Sequence, residues 1–204
     1  MKKMDTISKI VSCAIAYRDN LVNRNFLFVI GMENTIEYFE TIFLPRHFMH
    51  LTGIVCTDAE LKSVDFYNMC ITGKLPFSAI ELNKDGTTRM KLLVLSQLMC
   101  IHKTARMAGD FRGASVKLQT SKVAGTTVAC MGFVQESEYS NLYVPNTVLN
   151  IDTRKAAQRP IKRVMTVFEK EKDASSYSLC TYTAKGLALD DILKNHELAA
   201  KIST

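Results

Sequence analysis

Apolar positions change their period near residue 110, which predicts helices and a hairpin in the first half of the chain and a sheet in the second. Ile7, Ile10, Val11, Ala14 and Leu21 recur at helical spacing and trace one side of an amphipathic helix. Phe26 to Gly31 is a nearly continuous apolar run, and Thr35 to Phe43 is rich in β-branched and aromatic residues. With Glu33-Asn34 between them as turn formers, the pair predicts a β-hairpin. Thr57 and Glu60 have capping-box spacing at the head of a helix carrying Leu61, Val64, Tyr67 and Ile71, closed by Gly73 and Pro76. Asp85-Gly86-Thr87-Thr88 opens a longer helix. Its stripe is Leu92, Leu95, Met99 and His102, widened by Leu98, Ile101 and Ala105, and Gly109 ends it. His102 on that stripe reads as a packed or interface histidine.

Beyond residue 110 the segments 116–121, 128–134, 142–149, 163–169 and 177–183 are short and β-branched or alternating, and most connections are too short for helical crossovers. Pro145 cannot donate to a ladder and marks an edge, a bulge or a strand start. Residues 190–203 predict a final helix with Asp190 and Asp191 near its positive end. The fold class is α+β: an N-terminal helix and β-hairpin, two core helices, an antiparallel β-meander and a C-terminal helix. The pattern has no internal repeat or low-complexity linker and predicts one domain over 1–204, with 1–55 as a helix-hairpin extension and 189–204 as the closing helix.

Composition supports an ordinary domain: 204 residues, 47% hydrophobic and 23% charged, can bury a substantial core. Lysine and arginine number 26 against 20 acids, a net charge of +6 that favours polyanionic partners. Arg154, Lys155, Arg159, Lys162, Arg163, Lys170 and Lys172 fall in one segment able to follow a phosphate backbone, although Glu169, Glu171 and Asp173 dilute its far end. Six widely spaced cysteines without a Cys-x-x-Cys pair suit reduced thiols and a cytoplasmic protein. Lys2 and Lys3 precede an apolar run with Ala14-Ile15-Ala16, but Asp5, Ser8 and Lys9 interrupt the approach, so neither export nor a membrane partner is expected.

The candidate chemistry lies in Pro45-Arg46-His47-Phe48-Met49-His50-Leu51-Thr52-Gly53. Pro45 suits the first position of a helical turn and Gly53 a stop. His47 and His50 would then share a face, with Arg46 one turn from His50 and Phe48 and Leu51 on an adjoining apolar side. Imidazole exchanges protons near neutral pH, and a guanidinium beside it could hold a phosphate. One half-buried, hydrogen-bonded histidine and one solvated histidine would satisfy the same spacing. A metal site from His47, His50 and Cys56 or Asp58 has poor ligand spacing, and no cofactor fingerprint or Walker-type loop occurs.

Phe48-x-His50-Leu51-Thr52-Gly53, Phe66-Tyr67 and Tyr143-x-Pro145-x-Thr147 together resemble the phage-associated barnase, EndoU, colicin E5/D and RelE-like nuclease group over roughly residues 25–185. The resemblance implies two helices followed by a four-stranded antiparallel meander, with nucleic acid held across the sheet. It further implies metal-independent ribonuclease chemistry by attack of the RNA's own 2′-hydroxyl, in a phage or mobile-element protein acting in the cytoplasm of a bacterial host. On that basis His50 is the expected general base or acid, and Tyr143 and Thr147 donate hydrogen bonds from the sheet. Thr52 is a motif position assigned to substrate binding. Proximity adds Arg46 or His47 for the phosphate, and Lys162, Arg163 and Arg154 for the RNA backbone. Tyr143 and Thr147 lie an even number of residues apart, so an uninterrupted strand would project both to one face, whereas a bulge at Pro145 would not. Cross-strand packing and a backbone-bonded hydroxyl account for these two residues equally well. The expected partners are RNA, with tRNA among the candidates, and a host or antitoxin protein. The alternative function is a catalytically inactive protein of a phage or mobile element that binds a host factor or nucleic acid in counter-defence.

Overall fold

A computed structural model of the chain describes residues 3–32, 35–113 and 119–203. Helix α1 (Lys3–Asn20) buries Ile10, Cys13, Ala14 and Tyr17, with Leu21 just beyond it. That is the expected amphipathic side, rotated towards Cys13 and Tyr17. Strands β1 (Arg24–Met32) and β2 (Thr35–Phe43) pair antiparallel along their whole length. The nearly unbroken apolar run in β1 arises because both its faces are covered. Phe26, Phe28 and Ile30 join the main core, while Leu27 and Val29 belong to a second apolar cluster on the opposite face.

The histidine segment forms as its residue types dictate. Pro45–His47 is one 3-10 turn and α2 (Phe48–Thr52) follows, ending at Gly53 in the left-handed region, φ 67°. Strand β3 (Ile54–Cys56) pairs antiparallel with β4 (Ile80–Leu82), and the Thr57 N–H continues the pairing by donating to the Ala79 carbonyl. This extended pairing prevents the capping box expected at Thr57 and Glu60. The helix α3 instead begins later (Ser63–Ile71), and the Thr57 hydroxyl donates to the Ser78 carbonyl. Phe66 and Tyr67 are buried against Phe48, so both serve packing.

The longer predicted helix is also divided. It comprises α4 (Thr87–Leu98) and a single turn α5 (Ile101–Thr104), and residues up to Gly109 are already in β5 (Met107–Asp110). Gly109 is a close-approach position rather than a helix stop, since a Cβ there would lie 3.3 Å from that of Ala157. The strands β6 (Lys122–Gly125), β7 (Cys130–Gln135) and β8 (Leu142–Leu149) follow, then the turn α6 (Thr153–Ala156), β9 (Lys162–Glu171) and β10 (Leu179–Thr183). Half of the strand expected at 116–121 falls outside the described residues, and 119–121 precede β6 without joining a strand. The single C-terminal helix is two, α7 (Leu189–Leu193) and α8 (His196–Ala199), divided at Asn195, whose side chain accepts from the Glu197 and Leu198 N–H groups.

The α+β class holds, but the sheet is not an open meander. Antiparallel pairs run from β5 through β6 and β7 to β8, then β8 joins β2 in parallel (Glu40 with Leu142, Thr41 with Tyr143). Because β9 bonds both to β1 and to β5, seven strands close into a barrel in the order β1-β2-β8-β7-β6-β5-β9, and β10 adds to the free half of β9. Closure removes the exposed edges that an open sheet would leave. The C-terminal turns cover part of the outside: Ile192 and Leu198 pack with Leu27, Val29, Phe168 and Tyr177.

Candidate active site

The motif around His50 is a socket for the start of α4. Phe48 and Leu51 are fully buried and fix α2 to the core. Thr52 is equally buried; its hydroxyl donates to the Met49 carbonyl and accepts the Ile54 N–H, so it closes the turn and its atoms are withdrawn from any substrate. Gly53 has two reasons to be glycine. Its φ is positive, and a Cβ there would stand 2.8 Å from Cδ of Lys91 and 3.4 Å from Cα of Thr88. The Thr88 hydroxyl donates to the Gly53 carbonyl and accepts the Asn83 N–H, tying together α4, the glycine turn and the end of β4.

That socket brings Lys91 beside His50. The Lys91 Nζ donates to the His50 carbonyl at 2.9 Å, capping the C-terminal end of α2. Lys91 is only 9% exposed, and no carboxylate of the described residues lies within ion-pair distance of it. Burial lowers its pKa to about 8. An ammonium has three donors, and among the described residues one of them has a partner. The residue was not among those singled out from the sequence. Its signal was available, because position 91 lies on the apolar stripe of Thr88, Leu92 and Leu95, where a charge is out of place.

His50 and Lys91 line a cavity of about 790 Å³ between α2, the head of α4 and the end of β8. His50 itself is exposed, so its imidazole can be reached from solvent. Its pKa is lowered, first by partial burial of the ring and second by the Lys91 charge, which keeps it neutral at pH 7. Thr147 lines the same cavity and is 4% exposed, and its hydroxyl has no partner among the described residues. Asn83, Asn146 and Asn150 add amide groups to the wall.

Other expected residues are placed differently. His47 Nδ1 accepts the Leu44 N–H at 3.2 Å and closes the 3-10 turn. Burial, then Arg46 and His50, lower its pKa to about 4, so it is held neutral. Arg46 reaches away to Glu136 at 3.0 Å. Tyr143 and Thr147 do not share a face. Asn146 is an extra residue in β8, so Pro145 opposes Phe133 while Thr147 opposes Gly132. This bulge turns Tyr143 with Phe133 towards the core, edge-on to Phe39 at 6.0 Å, and leaves Thr147 on the other side. The three cations expected to bind the RNA backbone are engaged within the protein: Arg154 with Asp152, Lys162 with Glu37, and Arg163 with the Lys185 carbonyl. Among the described residues no three His, Cys, Asp or Glu side chains gather as metal ligands, and no helix is long and apolar enough to cross a membrane.

A model of the family described as phage-Barnase-EndoU-ColicinE5/D-RelE like nuclease4 matches residues 9–186. The match takes in most of α1 and every strand of the barrel, and it stops before α7 and α8. No curated protein and no solved structure is similar enough to the chain to match it.

Proposed function

The chain belongs to this nuclease family, and from that premise we propose that it cleaves RNA at the His50–Lys91 cavity by transesterification from the 2′-hydroxyl, without a metal ion. The observation that carries the reading is a buried ammonium with no ion-pair partner among the described residues, held beside a neutral, reachable imidazole in a cavity that Asp85 also lines. Burying a charge without a partner costs stability, and a phosphodiester supplies the missing anion.

In this reaction the His50 imidazole removes the 2′-hydroxyl proton. The 2′-oxygen then bonds to phosphorus as the bond from phosphorus to the 5′-oxygen breaks. Lys91 stabilises the pentacoordinate phosphorane and gives its proton to the departing 5′-oxygen, a task suited to an ammonium whose pKa is about 8. Thr147 donates to a non-bridging oxygen. Solvent then restores the two protonation states. The products are a 2′,3′-cyclic phosphate and a 5′-hydroxyl end. A phage or mobile-element protein with this activity would act on RNA of a bacterial host, and tRNA is the first substrate to try.

The test is incubation of the purified protein with total RNA and defined tRNAs in EDTA, followed by mapping of the ends. Cyclic phosphate ends that disappear in His50→Ala, with the circular dichroism retained, would support the reading. Unchanged cleavage by His50→Ala would remove His50 from it. Tight RNA or protein binding with no cleavage would favour the non-catalytic alternative.

A further inference from the structure

The cations after residue 150 divide into engaged and free. Arg154, Lys162 and Arg163 are tied to protein oxygens, and Lys170 lies over the Tyr177 ring at 5.0 Å. Arg159 has no such partner among the described residues. It lines a separate cavity of about 460 Å³ together with Gln158 and Arg112, a second arginine just past the end of β5 with no side-chain partner among the described residues. Neither arginine is within ion-pair distance of a carboxylate of the described residues.

The backbone beneath them is fixed. The Arg112 N–H donates to the Ala156 carbonyl, the Gln158 N–H donates to the Asp110 carbonyl, and Phe111 bridges Ala157. The Gln158 side chain is anchored on the Phe111 carbonyl at 3.1 Å and forms a wall between the two arginines' segments. Two like charges on a rigid frame repel one another until an anion is shared, and planar guanidinium forks match phosphate oxygens. The location relates this cavity to the first. Ile151 lines the His50 cavity and Gln158 lines this one, so the connecting chain keeps those two residues at most about 25 Å apart. Exposed Arg154 and Lys155 lie on the strip between them.

We infer that Arg112 and Arg159 form a second phosphate-binding subsite, which grips the backbone of the same RNA a few nucleotides from the linkage that is cut. The inference rests on the RNA-cleaving reading, and it can be tested apart from cleavage with an uncleavable 2′-O-methyl RNA 12-mer. Fluorescence anisotropy would follow its binding to the full chain over a range of salt concentrations. The Arg112→Ala, Arg159→Ala double variant should bind about tenfold more weakly at low salt. The slope of log affinity against log salt should become shallower by about 0.7 to 1.4, the release expected from one or two single-strand phosphates. Arg112→Lys, Arg159→Lys should recover most of that slope and guards against misfolding in the alanine variant. Lys194→Ala, whose ammonium is already paired with Asp191, should bind as the wild type does. Unchanged affinity and slope in the alanine variant would overturn the subsite. A protein that cleaves no RNA yet shows the same loss on alanine substitution would keep the subsite and remove the nuclease reading.

Discussion

At the scale of single residues, the proposed site depends on two side chains of which the sequence displayed one. His50 was legible because a histidine-rich turn between a proline and a glycine is conspicuous. Lys91 was not, because lysine is common on helices and its burial follows from α4 seating on Gly53, a contact between positions far apart in sequence. Arg46, by contrast, looked useful by proximity and is directed to Glu136, ninety positions away. The assigned roles give a pH profile with two limbs. Cleavage should rise as His50 loses its proton, below the ordinary histidine value of about 6.5 because its pKa is lowered, and fall as Lys91 deprotonates near pH 8. A profile of kcat/KM from pH 4 to 10 checks both, and a flat alkaline side would contradict the role of Lys91.

At the scale of elements, local signals predicted α1, the hairpin, the short helix at Pro45 and β8 with their approximate ends. They failed where pairing to a remote segment overrode a local cue. The capping-box spacing at Thr57 lost to the β3–β4 ladder, and Gly109, a helix stop by its local pattern, serves a close approach to Ala157. The Asn146 bulge separated Tyr143 from Thr147, the one possibility that the proline had already marked. Gly53 is the most sensitive joint between elements. Gly53→Ala places a Cβ at positive φ and against the Lys91 stem, so it should destabilise the fold by about 2 kcal/mol or more, measured by urea unfolding. It should also reduce cleavage in the surviving folded fraction by displacing Lys91. Gly73→Ala, also at positive φ but with open space around it, should cost only the backbone term, about 1 kcal/mol.

At the scale of the whole molecule, barrel closure was the largest feature hidden from the sequence. The meander from β5 to β8 follows from short connections, but the β2–β8 and β1–β9 pairings join segments a hundred or more positions apart, and no local period encodes them. The apolar run in β1 was a partial sign, since a strand covered on both faces belongs inside a closed or layered sheet. The interior also contains His102, 1% exposed and tilted 37° against the Phe26 ring at 5.0 Å, with Nδ1 lacking a hydrogen-bond partner among the described residues. Burial, then Lys103 and Arg24, lower its pKa to about 4. The unfolded chain therefore takes up this proton first as pH falls through about 6.5, whereas the folded chain resists until about 4. Stability should be full above that window and fall across it, by up to about 3 kcal/mol for this group. His102→Leu should flatten the decline, as read from urea midpoints between pH 7 and 4. His47, also lowered to about 4, should leave a residual slope.

The decisive proposal is that the buried Lys91 ammonium, which has no ion-pair partner among the described residues, serves the reaction rather than the fold. It is tested most directly by the single-turnover RNA cleavage rate of Lys91→Met in EDTA at pH 7, with its urea midpoint measured on the same preparation. Methionine keeps the length and apolar stem of the side chain while removing the charge. The expected result is a rate at least a hundredfold lower with a midpoint equal to or above that of the wild type. Cleavage at the wild-type rate, or a loss of rate that merely tracks a loss of folded protein, would contradict it.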